Sequence, residues 1–235
     1  MRILAVDTSS KNCSVAIVEV YENKNYNIIA FENSDDEKTH SQKLMPIVDK
    51  VFKEHNLTLK DMDLLACCVG PGSFTGIRIG IATMKAFADV TNIKTVSVTS
   101  LESLSYNIEE DGIIIPIIDC KNNNVYSAIF SRENNTYKQI GENIADNIDN
   151  AISLYKANAE NKNITFVGDG SILYKDLLTS RLSNKLIFSN KNTQSSISLA
   201  KCAYAKYLEG LYGDSNNLSP LYLRKSQAER ALVEK

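Results

Sequence analysis

Gly70-Pro71-Gly72-Ser73-Phe74-Thr75-Gly76-Ile77-Arg78-Ile79-Gly80 is the stretch that sets the fold. It follows Leu64-Leu65-Ala66-Cys67-Cys68-Val69, an apolar run of strand length, and leads into helical spacing that continues to Val90. The element is therefore strand, tight turn, helix. Gly70 and Gly72 are the positions for positive φ or close backbone approach, Pro71 fixes its own φ between them, and Ser73 stands where a helix cap belongs.

The helix over 73–90 is apolar nearly all round. On a wheel at ~100° per residue, Arg78, Lys85 and Asp89 share one narrow stripe, and Gly76, Gly80, Thr83 and Phe87 lie opposite it. Ile77, Ile81 and Met84 fill one flank and Ile79 and Ala86 the other. Each glycine inside a helix costs roughly 1 kcal/mol against alanine, so something must come close to the backbone there. The pattern implies packing on two sides, against the protein's own sheet and against a further helix, from this chain or another.

A chain of 235 residues with 43% hydrophobic content can bury a full core, as one large or two small domains. A formal charge of −2 offers no electrostatic footprint for gripping nucleic acid unaided. The five cysteines form no CxxC pair and sit mostly in apolar runs, as reduced cytosolic thiols do. No signal peptide is read at the start, and no apolar run approaches the ~18 residues of a membrane span. The expected location is cytoplasmic, with no membrane contact.

From the start, Ile3-Leu4-Ala5-Val6 is an apolar strand that ends at Asp7-Thr8-Ser9-Ser10-Lys11-Asn12, and residues 13–20 return as a second strand. Residues 26–31 continue as a third. A helix follows, with Leu44, Ile47, Val48, Val51 and Phe52 on one face. Thr39 or Ser41 would cap it; with Thr39, Pro46 falls inside and predicts a kink or a later start. The second half repeats the plan. Residues 113–118 form a strand ending at Asp119, a polar turn follows, and residues 125–130 return. Ile144, Ile148, Ile152 and Tyr155 predict a helix, and Val167-Gly168-Asp169-Gly170-Ser171 echoes Val69-Gly70-Pro71-Gly72-Ser73. Matched signals in the same order argue for an internal duplication. The boundary is placed in the polar segment 100–111, giving lobes over 1–104 and 105–235, with a last helix on Ile197, Ala200, Tyr204 and Tyr207.

An α/β chain of two duplicated lobes, each a mixed sheet with flanking helices and an acidic turn after its first strand, resembles the actin, Hsp70 and sugar-kinase (ASKHA, ribonuclease H-like) superfamily. In that superfamily the two acidic turns hold nucleotide phosphates. Within it, the opening ILAVDTSS, the segment HSQKLMP from His40 to Pro46, the block GPGSFTGIRIG, the hairpin DCKNNNVYSAIF from Asp119 and the tail PLYLR to Arg224 are similar to the TsaB (YeaZ) family over nearly the whole chain.

That resemblance implies a partner subunit in the N6-threonylcarbamoylation of adenosine 37 in tRNAs reading ANN codons. Such proteins pair with the catalytic paralogue TsaD, are joined by the ATPase TsaE, and meet tRNA indirectly through the complex. ATP and a metal are then expected on the partners, with no cofactor of this chain's own, and the isolated chain is expected to form a homodimer. The expected partner face is built from helices 40–56 and 73–90, through Leu44, Val48, Gly72, Thr75, Gly76, Gly80, Thr83 and Phe87.

The residues themselves offer little chemistry. His40 and His55 are the only histidines, and Leu44 stands where HxxxH would place a second ligand, so no metal site is expected. The glycine block lacks the lysine of GxxxxGK[ST]. Asp7, Thr8 and Ser9, with Asp119 opposite, are at most vestigial phosphate turns, and Ser73 and Thr75 have no histidine placed to activate them. No catalytic residue is assigned. A small-molecule kinase or ATPase of the same fold is the alternative function, and a peptidase a more distant one.

Overall fold

The computed structural model describes residues 1–21, 25–35, 38–159 and 162–224. Two units share the chain unevenly. The first joins Met1–Tyr106 to Gln194–Leu221, and the second joins Asn107–Thr193 to residues 222–224 among those described. The division expected at 104/105 therefore needs correcting, because the helix Ser196–Leu208 packs back on the first sheet.

In the first unit, β1 (Arg2–Asp7), β2 (Cys13–Val20) and β3 (Tyr26–Ser34) form an antiparallel meander. The chain continues through α1 (His40–Glu54), β4 (Leu64–Cys68), α2 (Phe74–Thr91), β5 (Lys94–Val98) and the short α3 (Ser100–Ser105). β4 pairs parallel with β1 and β5 parallel with β4, giving the order β3-β2-β1-β4-β5.

Strand alternation splits β1 between two cores. Leu4 and Val6 point to the side of α1 and α2, with Leu44, Val48, Val51, Ile77, Ile81 and Met84. Ile3 and Ala5 point to the other side, where Leu199, Ala200, Cys202 and Ala203 of the helix Ser196–Leu208 cover them. The outer edge of β5 is closed by a bridge in which Thr95 and Gly213 exchange backbone hydrogen bonds.

The second unit repeats this order. β6 (Gly112–Asp119), β7 (Asn124–Glu133) and β8 (Thr136–Asn147) are antiparallel, and α4 (Ile148–Asn158) follows. Then come β9 (Ile164–Val167), α5 (Asp169–Leu173), α6 (Lys175–Arg181) and β10 (Leu186–Phe188). The sheet order β10-β9-β6-β7-β8 is the first sheet's order read from the other end. The duplication is thus a duplication of topology. After this unit the chain forms α7 (Ser196–Leu208), capped by the Ser195 hydroxyl and stopped before Gly210 at φ +78°.

Two local expectations change. Ile144 lies in β8 opposite Ser127, and the helix begins only after Asn147, whose side chain accepts from the Asp149 amide. The spacing of four from Ile144 to Ile148 straddles a strand–helix boundary. α1 begins at His40, where the Thr39 amide donates to Gln42 Oε1 at 3.1 Å, and it runs through Pro46 without the later start considered.

Candidate functional site

The turn that closes β1 is tied to the start of α2 at several points. Thr8 Oγ1 donates to the Gly76 carbonyl at 2.7 Å, and the Ser73 amide donates to the Ser9 carbonyl at 2.7 Å. Ser73 caps α2 as its position predicted, its hydroxyl accepting from the Gly76 amide at 3.2 Å. A Cβ built on Gly72 would overlap the Ser9 carbonyl, one on Gly76 the Thr8 carbonyl, and one on Gly80 the Thr8 hydroxyl. The glycines let the helix lie against the protein's own turn.

That observation corrects the expected partner face. Gly72, Gly76 and Gly80 face inward, so their conformational cost is offset within this chain. Leu44 and Val48 are 1% and 3% exposed in the core beneath the helices, and Phe87 packs against the same core from a half-buried position, with Thr83 also half-buried. Of the eight residues named, only Thr75 is exposed. The surface these helices present includes Thr75, Arg78, Ala82, Ala86, Asp89 and Val90 on α2, with Val90 77% exposed. Met45 (48% exposed), Pro46 and Asp49 continue it on the neighbouring α1. The glycine side of the wheel is the side that meets the chain's own turn.

Asp7, Thr8 and Ser9 are buried and internally bonded. Asp7 Oδ1 accepts from the Ser9 amide at 2.9 Å and the Ser9 hydroxyl at 2.7 Å. Asp7 Oδ2 is buried without a hydrogen-bond partner among the described residues. Burial pushes this carboxyl above the usual carboxylate range, against the opposing pull of its bonds to Ser9. The Cys67 and Cys68 thiols of β4 are pushed up as well, by burial first and by the neighbouring Asp7 second. The Thr8 hydroxyl and the Ser9 amide and hydroxyl are thus already given to protein acceptors. His40 Nε2 lies 3.3 Å from the Asn12 carbonyl and His55 Nδ1 3.0 Å from the Val51 carbonyl, each serving the fold locally.

In the second unit, Asp119 gathers residues that spacing did not connect to it. Its Oδ1 accepts from the Lys121 amide at 3.1 Å and from the Tyr174 hydroxyl at 3.3 Å. The Asp119 amide donates to Asp169 Oδ1, and Arg224 Nη1 donates to Cys120 Sγ at 3.8 Å. Burial raises the Asp169 carboxyl above its ordinary range. Lys121, Asn122 and Asn123 all take left-handed φ, a conformation asparagine tolerates better than most residues. The echo of the glycine turn at Gly168-Asp169-Gly170 was the sequence signal for Asp169; Tyr174 carried none. Among the described residues, no cluster of three or more His, Cys, Asp or Glu side chains could hold a metal ion, and no helix is long and apolar enough to cross a membrane.

Comparison with known proteins matches residues 32–232 to the family described as TsaD: tRNA N6-adenosine threonylcarbamoyltransferase. The chain belongs to the TsaD family. Relatives similar to it include the tRNA threonylcarbamoyladenosine biosynthesis protein TsaB of Bacillus subtilis, 28% identical over 100% of this chain and 99% of the relative. TsaB of Haemophilus influenzae is 28% identical over 95% and 94%, and that of Escherichia coli is 33% identical over 57% of each. Among solved structures, YeaZ from Pseudomonas aeruginosa superposes with a TM-score of 0.78 at 22% identity, covering 94% of this chain and 99% of its own. A putative N-acetylmannosamine kinase from Listeria monocytogenes superposes with a TM-score of 0.52 at 10% identity, over 89% and 100%. The TsaD-family chain therefore has the duplicated α/β fold of the YeaZ structure, which that kinase shares, with TsaB proteins as its relatives.

Proposed function

We propose that this chain is the TsaB-type subunit of tRNA threonylcarbamoyladenosine biosynthesis, a non-catalytic partner in the N6-threonylcarbamoylation of adenosine 37 in tRNAs reading ANN codons. The similarity to TsaB of Bacillus subtilis from end to end carries the reading. The internal use of the Asp7, Thr8 and Ser9 hydrogen-bonding groups supports a scaffold over a phosphotransferase.

The chain pairs with its TsaD paralogue through the outward side of α1 and α2, where Thr75, Ala82 and Ala86 are small enough for close helix approach and Met45 and Val90 supply apolar area. The ATPase TsaE joins that pair, ATP and a metal are bound by the partners, and tRNA is held chiefly by them. Without the paralogue, the same face pairs two copies of this chain around a twofold axis. The complex works in the cytoplasm.

Threonylcarbamoylation of tRNA is to be assayed with purified partners, with and without this chain, alongside Ala86→Arg. Addition of the chain is expected to raise product formation. A desolvated, unpaired charge at the helix face is expected to weaken the complex by about a hundredfold while leaving the fold intact. Product formation indifferent to the chain, or ATP turnover by the chain alone that disappears in Asp7→Ala, would replace this reading with the kinase or ATPase alternative.

A further inference from the structure

The turn at 7–12 touches the beginnings of both helices of the proposed partner face. The Ser9 carbonyl and the Thr8 hydroxyl hold α2 through the Ser73 amide and the Gly76 carbonyl. The Asn12 carbonyl holds α1 through the His40 ring, 3.3 Å away. The turn itself is shaped by Asp7, whose Oδ1 receives two bonds from Ser9. We propose that Asp7 is a positioning residue, fixing the turn to which α1 and α2 are both fastened and thereby setting the geometry of the face they present. The part concerning the partner rests on the function proposed above; the part concerning the turn does not.

Burial pushes the carboxyl toward its neutral form. Asp7 is 1% exposed, its Oδ2 makes no hydrogen bond among the described residues, and burial outweighs the pull of Ser9, Cys68 and His40 toward the charged form. The ionisable groups facing it are the Cys67 and Cys68 thiols of β4, themselves held protonated by burial, and the His40 imidazole of α1. Ser14 of β2 stands opposite it in register, and α2 meets the turn through Ser73 and its glycines. Asparagine has the same shape and keeps an oxygen for the Ser9 bonds without ever ionising.

For an acid raised in the folded state, the native protein holds the proton more tightly than the unfolded chain. Stability is then lost as pH rises from about 4 through the raised value. Asp7→Asn is therefore expected to remove a downward slope of stability with pH that the natural chain shows.

The experiment compares the full chain with Asp7→Asn, Asp7→Ala and the milder Ser9→Ala. Urea unfolding is followed from pH 5 to pH 8, and amide hydrogen exchange at the first turns of α1 and α2. Binding to the TsaD paralogue is measured in parallel. Asp7→Asn is expected to flatten the pH profile, keep exchange protection at both helix starts and keep the partner. Asp7→Ala is expected to lose protection at both starts together and weaken the partner by about tenfold; Ser9→Ala gives the same pattern at smaller amplitude and serves if Asp7→Ala does not fold.

Unchanged protection in Ser9→Ala and Asp7→Ala would overturn the proposal. So would an Asp7→Ala that keeps the partner as tightly as the natural chain does. A natural chain that does not bind the paralogue would refute the proposed function, while exchange and pH profile, read on this chain alone, would still decide the role of Asp7.

Discussion

The carbonyl oxygen of Thr8 lies where the β-carbon of any residue larger than glycine at position 76 would be. The first turn of α2 and the turn after β1 are thus packed backbone against backbone, and the same closeness recurs one helical turn later between Gly80 and the Thr8 hydroxyl. The small residues serve the chain's own interior.

Gly76→Ala is expected to destabilise the protein by about 2 kcal/mol, the usual scale for overpacking where neither neighbour can retreat. Gly80→Leu is expected to disrupt the fold itself, because the larger side chain must displace Thr8 from its bond to the Gly76 carbonyl. Urea denaturation of the isolated chain measures both. A Gly80→Leu protein as stable as the natural one would show that α2 can move away from the turn freely.

Adjacent positions on α1 should behave in opposite ways. Leu44→Ala empties a site in the core beneath the helices and is expected to cost about 2–5 kcal/mol. Met45→Ala, on the exposed side, is expected to change stability by less than about 0.5 kcal/mol. Thermal or chemical unfolding of the two variants checks the pair.

Thiol chemistry reads burial directly. Cys13, Cys67, Cys68 and Cys202 are buried, and burial raises the thiols of the last three, whereas Cys120 is half-exposed beside the Arg224 guanidinium. A water-soluble disulfide reagent at pH 8 is expected to label Cys120 in the native protein and the other four only after unfolding. Rapid native labelling of Cys68 would contradict the packing around Asp7.

In the second unit the Tyr155 hydroxyl donates to Ser127 Oγ at 2.8 Å, and Ser127 donates to the Pro116 carbonyl at 2.7 Å. Tyr155→Phe removes the outer bond of this buried chain and leaves Ser127 its bond to Pro116. The expected loss is about 1 kcal/mol in an unfolding titration.

Much of this fold could be read from local chemistry. Ile3-Leu4-Ala5-Val6 alternates between two faces and both are buried, which is why it reads as a continuous apolar run. Ser73 and Ser195 announce their helices because hydroxyls suit the orphan amides of a first turn. The orientation of the glycine stripe was not legible. A wheel shows which residues lie on one side of a helix, but the reason for a missing side chain lies 68 residues away at Thr8. Ile144 misled because a spacing of four suits a helix whether or not the backbone between is helical. The convergence of Tyr174 and Arg224 on the Asp119 hairpin depends on the path of α5, α6 and the tail, and no local periodicity encodes it.

The return of α7 to the first sheet has a consequence for biosynthesis. Ile3, Ala5, Val18, Leu64 and Val96 are covered on that side by a helix that ends at Leu208. A nascent chain emerging from the ribosome therefore carries a half-clothed sheet through most of its translation, while the intervening second unit has all its strands in hand first. The amino-terminal sheet, though synthesised earlier, gains its cover on this side only after every strand of the second sheet has been made, and its raw side is what a cellular chaperone would meet.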